Sequence, residues 1–280
     1  EIALPYAHAL MLFGNSEKLL EKVKPEGLPP AVRAEVLALR ATAYADRGNM
    51  PAALRSVQEA RVANPRSLAP LRAEIDLALR SRDSGRAQHI LSEGLLMAPN
   101  DAQFLHLQGA LLQGNGDVAG ALGYFARALK ADPRLVDAMV ARASLLIDLK
   151  RFDEAMPDLD TAAALVPREP RVSYLKSLVF SARGDSAASR AQLEDVTRLV
   201  DALPEDFLAR QPPLLMLGGL ASQAVGRVER ARSLLELYVR RMPNDPAGRK
   251  LLASIYVGSG DTTRVADLLE PMLRSGDADP

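Results

Sequence analysis

Small and large apolar residues recur along the chain in columns that keep a spacing of 34 residues over most of its length. One column is mostly alanine, and the column four residues further on carries large apolar side chains. The alanines are Ala53, Ala87, Ala121, Ala155 and Ala231, and the large residues are Val57, Leu91, Phe125, Leu159, Leu193, Leu235 and Leu269. Positions four residues apart share one face of a helix. The pattern therefore predicts one helix in each period with a buried apolar face.

A second helix in each period is predicted from small residues and from residues that end helices. Alanine or glycine is needed where two antiparallel helices cross closely, because a large side chain would force the backbones apart. Such residues are Ala41, Gly109, Ala143, Gly219 and Ala253. Glycine adopts a positive φ easily and so ends the earlier helix. These turn glycines are Gly48, Gly116, Gly184, Gly226 and Gly260. Asn49, Asp185 and Asp245 stand where helix N-caps are needed, and Pro65, Pro99, Pro133 and Pro167 end the later helices.

Each period is thus a helical hairpin, and the chain is predicted to be all-α, an α-α superhelix of about seven hairpins plus a shortened N-terminal one. The boundaries are 1–33 for the shortened repeat, 34–67, 68–101, 102–135 and 136–169 for regular repeats, 170–211 for a stretched repeat, and 212–245 and 246–279 for two more within 212–280. Extra residues around Leu203–Leu208 predict an overlong helix and a wide loop in the stretched repeat. All repeats are expected to form one continuous solenoid.

The two ends of the chain are expected to be incomplete. The first 33 residues predict helices at about Leu4–Phe13 and Ser16–Val23. The last predicted helix, about Thr262–Arg274, shows Val265, Leu268, Leu269, Met272 and Leu273 with no polar capping helix after it. We therefore expect a piece of a longer protein, and weak self-association through this C-terminal helix is one possible use of its apolar face.

Composition excludes several classes of function. The chain has 35 lysines and arginines against 35 aspartates and glutamates, so it has no global attraction to nucleic acid or acidic membranes. It has no cysteine, which excludes disulfides, thiolate metal sites and a cysteine nucleophile. No apolar run approaches the roughly 18 residues needed to span a bilayer.

No catalytic, cofactor or metal constellation is found. His8, His89 and His106 are not paired with a second histidine at helical spacing, and Glu93, four residues after His89, is the one carboxylate at such a spacing, too few ligands for a metal site. Gly114–Ala119 resembles part of a dinucleotide fingerprint but lies between two predicted helices, so it is interpreted as a repeat turn, as is Gly258–Gly260. Arginines between 227 and 241 alternate with Glu229 and Glu236, which indicates a salt-bridged exposed face. The chain is predicted to be a non-enzyme without cofactor or metal.

The columns resemble those of the tetratricopeptide repeat family over essentially the whole chain. One departure is that the large residue early in the first helix of each repeat is never tryptophan. A narrower resemblance is carried by Glu21–Pro30, Arg249–Tyr256 and Asp267–Leu273. These segments look like long bacterial repeat lipoproteins associated with the PEP-CTERM/exosortase system and exopolysaccharide production. That resemblance implies a lipid-anchored protein of the bacterial cell envelope or periplasm, while a cytoplasmic location stays open.

The resemblance to tetratricopeptide repeats further implies that the first helices line a concave groove that binds a protein or peptide. By repeat register the groove residues are Glu35, Thr42, Asp46, Arg72, Asp76, Arg80, Gln103, His106, Gln113, Asp137, Ser144, Asp148, Arg171, Tyr174, Gln223 and Lys250. Tyr174 is the one aromatic platform that a glycan would find. Family members that grip a C-terminal carboxylate do so with lysine and asparagine at positions that here hold Ala38, Thr42, Arg72 and Asp76, so binding of such tails is not predicted.

Two functions from different classes follow. The first is a non-catalytic interaction scaffold, binding an unidentified protein partner in bacterial envelope assembly, exopolysaccharide export or exosortase-linked assembly. The alternative is the recognition arm of a larger enzyme, such as a glycosyltransferase, whose catalytic domain lies outside this segment. A catalytic domain in the full-length protein would favour the second, and continuing repeats the first.

Overall fold

A computed structural model describes the backbone of residues 2–275 and the side chains of residues 2–270. All regular secondary structure in this described part is helical. The chain divides into two compact units, Glu1–Arg142 and Ala143–Pro280. The all-helical fold class predicted from the sequence is confirmed, whereas the repeat boundaries and the continuity of the solenoid stay predictions.

The first unit consists of consecutive helical hairpins. Its helices are α1 (Ala3–Leu12), α2 (Ser16–Lys22), α3 (Pro30–Asp46), α4 (Met50–Ala63), α5 (Ala69–Arg80), α6 (Ser84–Met97), α7 (Ala102–Gly114) and α8 (Val118–Ala131), followed by α9 (Val136–Asp148), which ends in the second unit. The two helices of a hairpin pack on each other, as in α3 with α4, α5 with α6 and α7 with α8. The first helices α3 and α5 also pack directly on each other.

The second unit continues the same construction. Its helices are α10 (Phe152–Leu165), α11 (Pro170–Ala182), α12 (Ser186–Asp201), α13 (Glu205–Leu208), α14 (Pro212–Ala224), α15 (Val228–Arg241), α16 (Pro246–Gly258) and α17 (Thr262–Ser275). The long α12 and the short α13 account for the extra residues that the sequence places around Leu203–Leu208. Leu208 is buried in a cluster with Val196, Val200 and Leu215, so the insertion adds to the core of this unit.

Glycine turns end most first helices, and capping side chains begin most second helices. Gly116 has a φ of 81° and closes the turn after α7. The next residue, Asp117, accepts a hydrogen bond from the Gly120 backbone N–H at 2.9 Å and so caps α8. The caps predicted at Asn49, Asp185 and Asp245 are confirmed, because each side chain accepts from a backbone N–H of its helix. The segment Gly114–Ala119 joins α7 to α8 through a turn at residues 115–117, as predicted.

The turn conformation recurs where the sequence lacks glycine. Arg82 and Lys150 have φ values of 56° and 59°, and they occupy the positions of Gly48 and Gly116 in the 34-residue register. A left-handed conformation is unfavourable for a side chain with a Cβ. The turn geometry is therefore set by the packing of the two helices and is imposed on these residues.

Helix crossings explain the columns of small residues. A Cβ added to Gly109 in α7 would lie 2.6 Å from the ring of Phe125 in α8, closer than two carbons can approach. Ala121 and Phe125 are both fully buried in this crossing. In the second unit, a Cβ on Gly219 would likewise lie 2.6 Å from Leu235. The small residue on one helix makes room for the large residue on its partner.

The N-terminal hairpin is fixed to its neighbour by a buried arginine. Helices α1 and α2 lie within a residue or so of their predicted positions. Arg40, in α3, donates from Nη1 to the Val23 carbonyl at 2.8 Å and the Leu20 carbonyl at 3.0 Å. These carbonyls belong to the C-terminal end of α2, where backbone acceptors lack partners within the helix.

The other end of the chain also matches its predicted helix, because α17 starts at Thr262. Its apolar Val265 and Leu268 pack partly against the cluster formed by α15 and α16. The predicted apolar residues Met272 and Leu273 lie outside the residues whose side chains are described.

Candidate functional site

A groove of about 650 Å³ lies over the first helices of the first unit. The lining comes from α1, α3, α5 and α7 and from the loop between α4 and α5. The lining residues are His8, Glu35, Ala38, Leu39, Thr42, Asn64, Ser67, Leu68, Ala69, Arg72, Ala73, Asp76, Arg80 and Gln103. The part contributed by α5 runs from Ala69 to Arg80, about 16 Å at the helical rise per residue. We call this surface the first-helix groove.

Repeat register explains how α3 and α5 present their side chains together. Arg80 donates from Nη1 to Asp46 at 2.9 Å, and these two residues stand 34 positions apart. The same guanidinium donates from Nε to Asp76 at 2.8 Å, one turn earlier in α5. Ser16, in α2, donates to the other oxygen of Asp46 at 2.8 Å. One arginine thus ties two carboxylates at one end of the first-helix groove. Burial by itself would lower the pKa of Arg80, but Asp76 and Asp46 together outweigh it and raise that pKa.

Arg72 has a structural role within the groove. Its Nη2 donates to Asp101 at 2.6 Å, and Asp101 is the N-cap of α7, accepting from the Phe104 backbone N–H. The Arg72 guanidinium also lies 5.3 Å from the centre of the Phe104 ring. The side chain is 35% exposed. Arg72 therefore lines the groove as predicted by repeat register, but it also packs between repeats and holds the start of α7.

Glu35 has the opposite character. It is half-buried in α3 at the other end of the groove, and its carboxylate forms no hydrogen bond or ion pair with the described residues. In the repeat register it stands beside Ala69 of α5 and Gln103 of α7, neither of which carries charge. The groove surface next to it is made of the buried alanines Ala38 and Ala73 and of the half-buried Leu39.

The structure brings together six of the predicted groove residues, and Asp46 joins them through Arg80. The six are Glu35, Thr42, Arg72, Asp76, Arg80 and Gln103. The remaining predictions do not line this groove. His106, Gln113 and Asp137 follow on α7 and α9, and the ring of His106 packs 5.7 Å from that of Phe125.

In the second unit the other predicted residues lie on first helices: Ser144 and Asp148 on α9, Arg171 and Tyr174 on α11, Gln223 on α14 and Lys250 on α16. Arg171 is bound to Glu169 at the start of its own helix, at 2.8 Å. Tyr174 is half-buried against the cluster around Val196 and Val200, and burial raises the pKa of its phenol. Most of this ring therefore packs within the unit and leaves little face for a glycan.

Sequence reasoning missed three polar residues of the first-helix groove, namely His8, Asn64 and Ser67. For His8 a signal was present, because it precedes Thr42 by 34 residues, and Thr42 precedes Asp76 by 34. Asn64 and Ser67 lie in the connection between α4 and α5, where a helix-face argument does not apply. Their place in the groove follows only from how this connection folds back.

Charged clusters outside the first-helix groove are internally paired. Arg61 of α4 donates to Glu74 at 2.8 Å and to Glu93 at 2.9 Å, and Arg86 donates to the other oxygen of Glu74. In the second unit, Arg227 and Arg230 both bind Asp201 at 2.8 Å. The interpretation as a salt-bridged face is therefore confirmed for this part of the basic segment, where Asp201 rather than the neighbouring glutamates holds the two arginines.

No group of three or more histidine, cysteine, aspartate or glutamate side chains is arranged to hold a metal ion in the described part. Within those same residues, no helix combines the length and apolar character needed to cross a membrane.

Comparisons with known proteins agree with this geometry. Residues 72–135 and residues 112–179 each match a tetratricopeptide repeat family model. No curated protein matches the sequence. Members of this repeat family generally bind other proteins and are generally non-catalytic.

Solved structures share the fold at low sequence identity. The crystal structure of PilW, a widely conserved type IV pilus biogenesis factor, is 18% identical with a TM-score of 0.56, over 79% of this chain and 97% of PilW. The Cut9–Hcn1 hetero-tetramer of APC/C contains a chain that is 14% identical with a TM-score of 0.68, over 96% of this chain and 50% of that one. TTC0263, a repeat protein of Thermus thermophilus, is 20% identical with a TM-score of 0.52, over 67% of this chain and 97% of its own. Together with the helical hairpins, these matches show the fold of tetratricopeptide repeat proteins, and the family models match residues 72–179 of the chain.

Proposed function

We propose that the chain is a non-catalytic scaffold whose first-helix groove binds an extended segment of a partner protein. The observation that carries the proposal is the groove itself, about 650 Å³ over α3, α5 and α7. Its α5 edge of about 16 Å matches an extended peptide of roughly five residues. Hydroxyl and amide groups of Thr42, Ser67, Asn64 and Gln103 offer hydrogen bonds to such a backbone, between apolar positions for its side chains.

We place the partner in bacterial envelope assembly or in exopolysaccharide export, and the chain in the envelope or periplasm. The support is the sequence resemblance of Glu21–Pro30 and Arg249–Tyr256 to envelope repeat lipoproteins. A lipid anchor and the exosortase link belong to the same proposal. The fold shared with PilW is compatible with a role in assembling an envelope apparatus.

Site-directed photo-crosslinking in the native cell tests the proposal. A photoreactive residue replaces Gln103 in the first-helix groove or, as the matched control, Val62, which is 78% exposed on α4. We expect one protein of the envelope or of polysaccharide export to be captured from Gln103 and not from Val62. Equal capture of the same protein from both positions would move the binding surface out of the groove. Capture of a partner from another compartment would overturn the envelope assignment while leaving the groove in place.

A further inference from the structure

We infer that the first-helix groove selects a partner segment with a basic side chain, which pairs with Glu35. The inference rests on the proposed function and adds the chemistry of the partner. It follows from the balance of charge in the groove, where both arginines are already bound and one carboxylate is left without a partner among the described residues.

Both groove arginines are occupied by acids of this chain. Arg72 is bound to Asp101 at 2.6 Å and stacks on Phe104, so its charge is used within the fold. Arg80 is shared between Asp46 at 2.9 Å and Asp76 at 2.8 Å. Two carboxylates against one guanidinium leave a negative surplus at this end of the groove. Neither arginine is available to neutralise Glu35.

Glu35 supplies the second negative site at the opposite end. The residue is half-buried, and its carboxylate has no hydrogen bond or ion pair with the described residues. Partial burial weakens its hydration, so a cationic donor gains more there than on an open surface. The buried alanines Ala38 and Ala73 leave space for the aliphatic stem of an arginine or lysine to reach it.

The same charge balance disfavours other ligands. An acidic peptide tail or a nucleic acid would meet the unpaired Glu35 and the surplus of Asp46 and Asp76, without a free arginine in the described groove to receive it. The half-buried Leu39 and Leu68 add apolar contacts beside the charge. The fitting partner is therefore a protein segment with one arginine or lysine among small apolar residues.

Three peptide pools test this chemistry. The pools consist of acetylated, amidated ten-residue peptides with flanks drawn from alanine, leucine and serine and a central arginine, glutamine or glutamate. Binding is measured by fluorescence anisotropy, and its location by photo-crosslinking from position 103, with position 62 as the background. We expect the arginine pool to bind at least about fivefold tighter than the glutamine pool and the glutamate pool to bind most weakly. Glu35→Gln should reduce the preference for arginine to about one.

The matched control is Glu59→Gln, the same charge change at an exposed residue of α4. This variant should keep the preference for arginine. If all three pools crosslink equally from position 103, the basic preference is overturned and the groove function stands. Loss of the preference in the Glu59→Gln variant would also overturn the assignment to Glu35. If no pool crosslinks from position 103 above the level at position 62, the proposed peptide-binding function itself is overturned.

Discussion

At the scale of single residues, charged side chains that line the same groove have different roles. Arg72 and Glu35 both line the first-helix groove. Arg72 is bound to the N-cap of the next first helix, whereas Glu35 has no partner among the described residues. Whether a charged side chain in the groove can bind a partner therefore depends on its contacts within the fold.

Arg72→Ala should lower the free energy of unfolding by about 1 kcal/mol. The change removes the ion pair with Asp101 and the contact with the Phe104 ring. Solvent weakens both interactions, because the side chain is 35% exposed. Urea denaturation followed by circular dichroism measures the loss. The control is Gln103→Ala, an exposed groove residue, which should stay within about 0.5 kcal/mol of the parent. Equal stability of the two variants would contradict a structural role for Arg72.

Arg82→Gly should raise the free energy of unfolding by about 0.5 kcal/mol. Arg82 has a φ of 56° at a turn where other hairpins use glycine, so the substitution relieves an unfavourable backbone conformation. Part of the gain is offset because glycine has more freedom in the unfolded chain. Thermal unfolding shows whether the substitution raises or lowers stability. Gly116→Arg, at a φ of 81°, is the reciprocal change and should destabilise. A gain in stability from Gly116→Arg would contradict the assigned turn geometry.

At the scale of the element, the helical hairpin is specified by how closely its two helices approach. Gly109 of α7 lies against the Phe125 ring of α8, and Ala121 is fully buried in the same crossing. Each hairpin combines a small residue on one helix with a large one on the other, so its geometry tolerates little added volume.

Ala121→Glu should cost about 3 kcal/mol or more and unfold the central hairpins. The glutamate would place an unpaired charge in a fully buried position at a helix crossing. The control, Ala119→Glu, introduces the same side chain two residues earlier at an exposed position in the first turn of α8. There a carboxylate is favourable to the helix. Circular dichroism melting compares the two variants, and an unchanged melting curve for Ala121→Glu would show that the repeat register is wrong.

At the scale of the whole molecule, stability should fall at alkaline pH. Burial and a 2.7 Å hydrogen bond donated to Asp245 raise the pKa of Tyr238 from 10.0 to about 12. A raised pKa in the folded state means that folding favours the neutral phenol. The contribution of Tyr238 to stability is therefore fully present below about pH 10. It is lost as the pH rises towards about 12, because the unfolded chain releases the proton first.

Urea denaturation at about pH 9 and about pH 11 tests this behaviour. The parent chain should lose more stability between the two values than Tyr238→Phe, which has no phenol to ionise at this position. Tyr256→Phe is a second comparison, because burial and a hydrogen bond to Glu236 also raise the pKa of Tyr256. An identical pH dependence of the parent and Tyr238→Phe would contradict the raised pKa.

Much of the fold could be predicted because its determinants are local. The caps at Asn49, Asp185 and Asp245 bond to backbone groups three residues away, so the residue type alone indicates them. The groove was predicted in part, because the repeat register aligns the outward faces of α3 and α5. Asn64 and Ser67 were missed because a loop follows no such period.

The sequence by itself determined the helical hairpins, their turns and the small residues at their crossings, because periodic packing must repeat its residue types in every period. Only the tertiary structure decided which groove charges are free. Arg72 reaches Asp101 across 29 residues, and Arg80 reaches Asp46 across 34. It also showed that Arg82 and Lys150 adopt the glycine conformation. These outcomes depend on side chains and backbones brought together by packing between repeats, whose energies outweigh the local preferences of the residues involved.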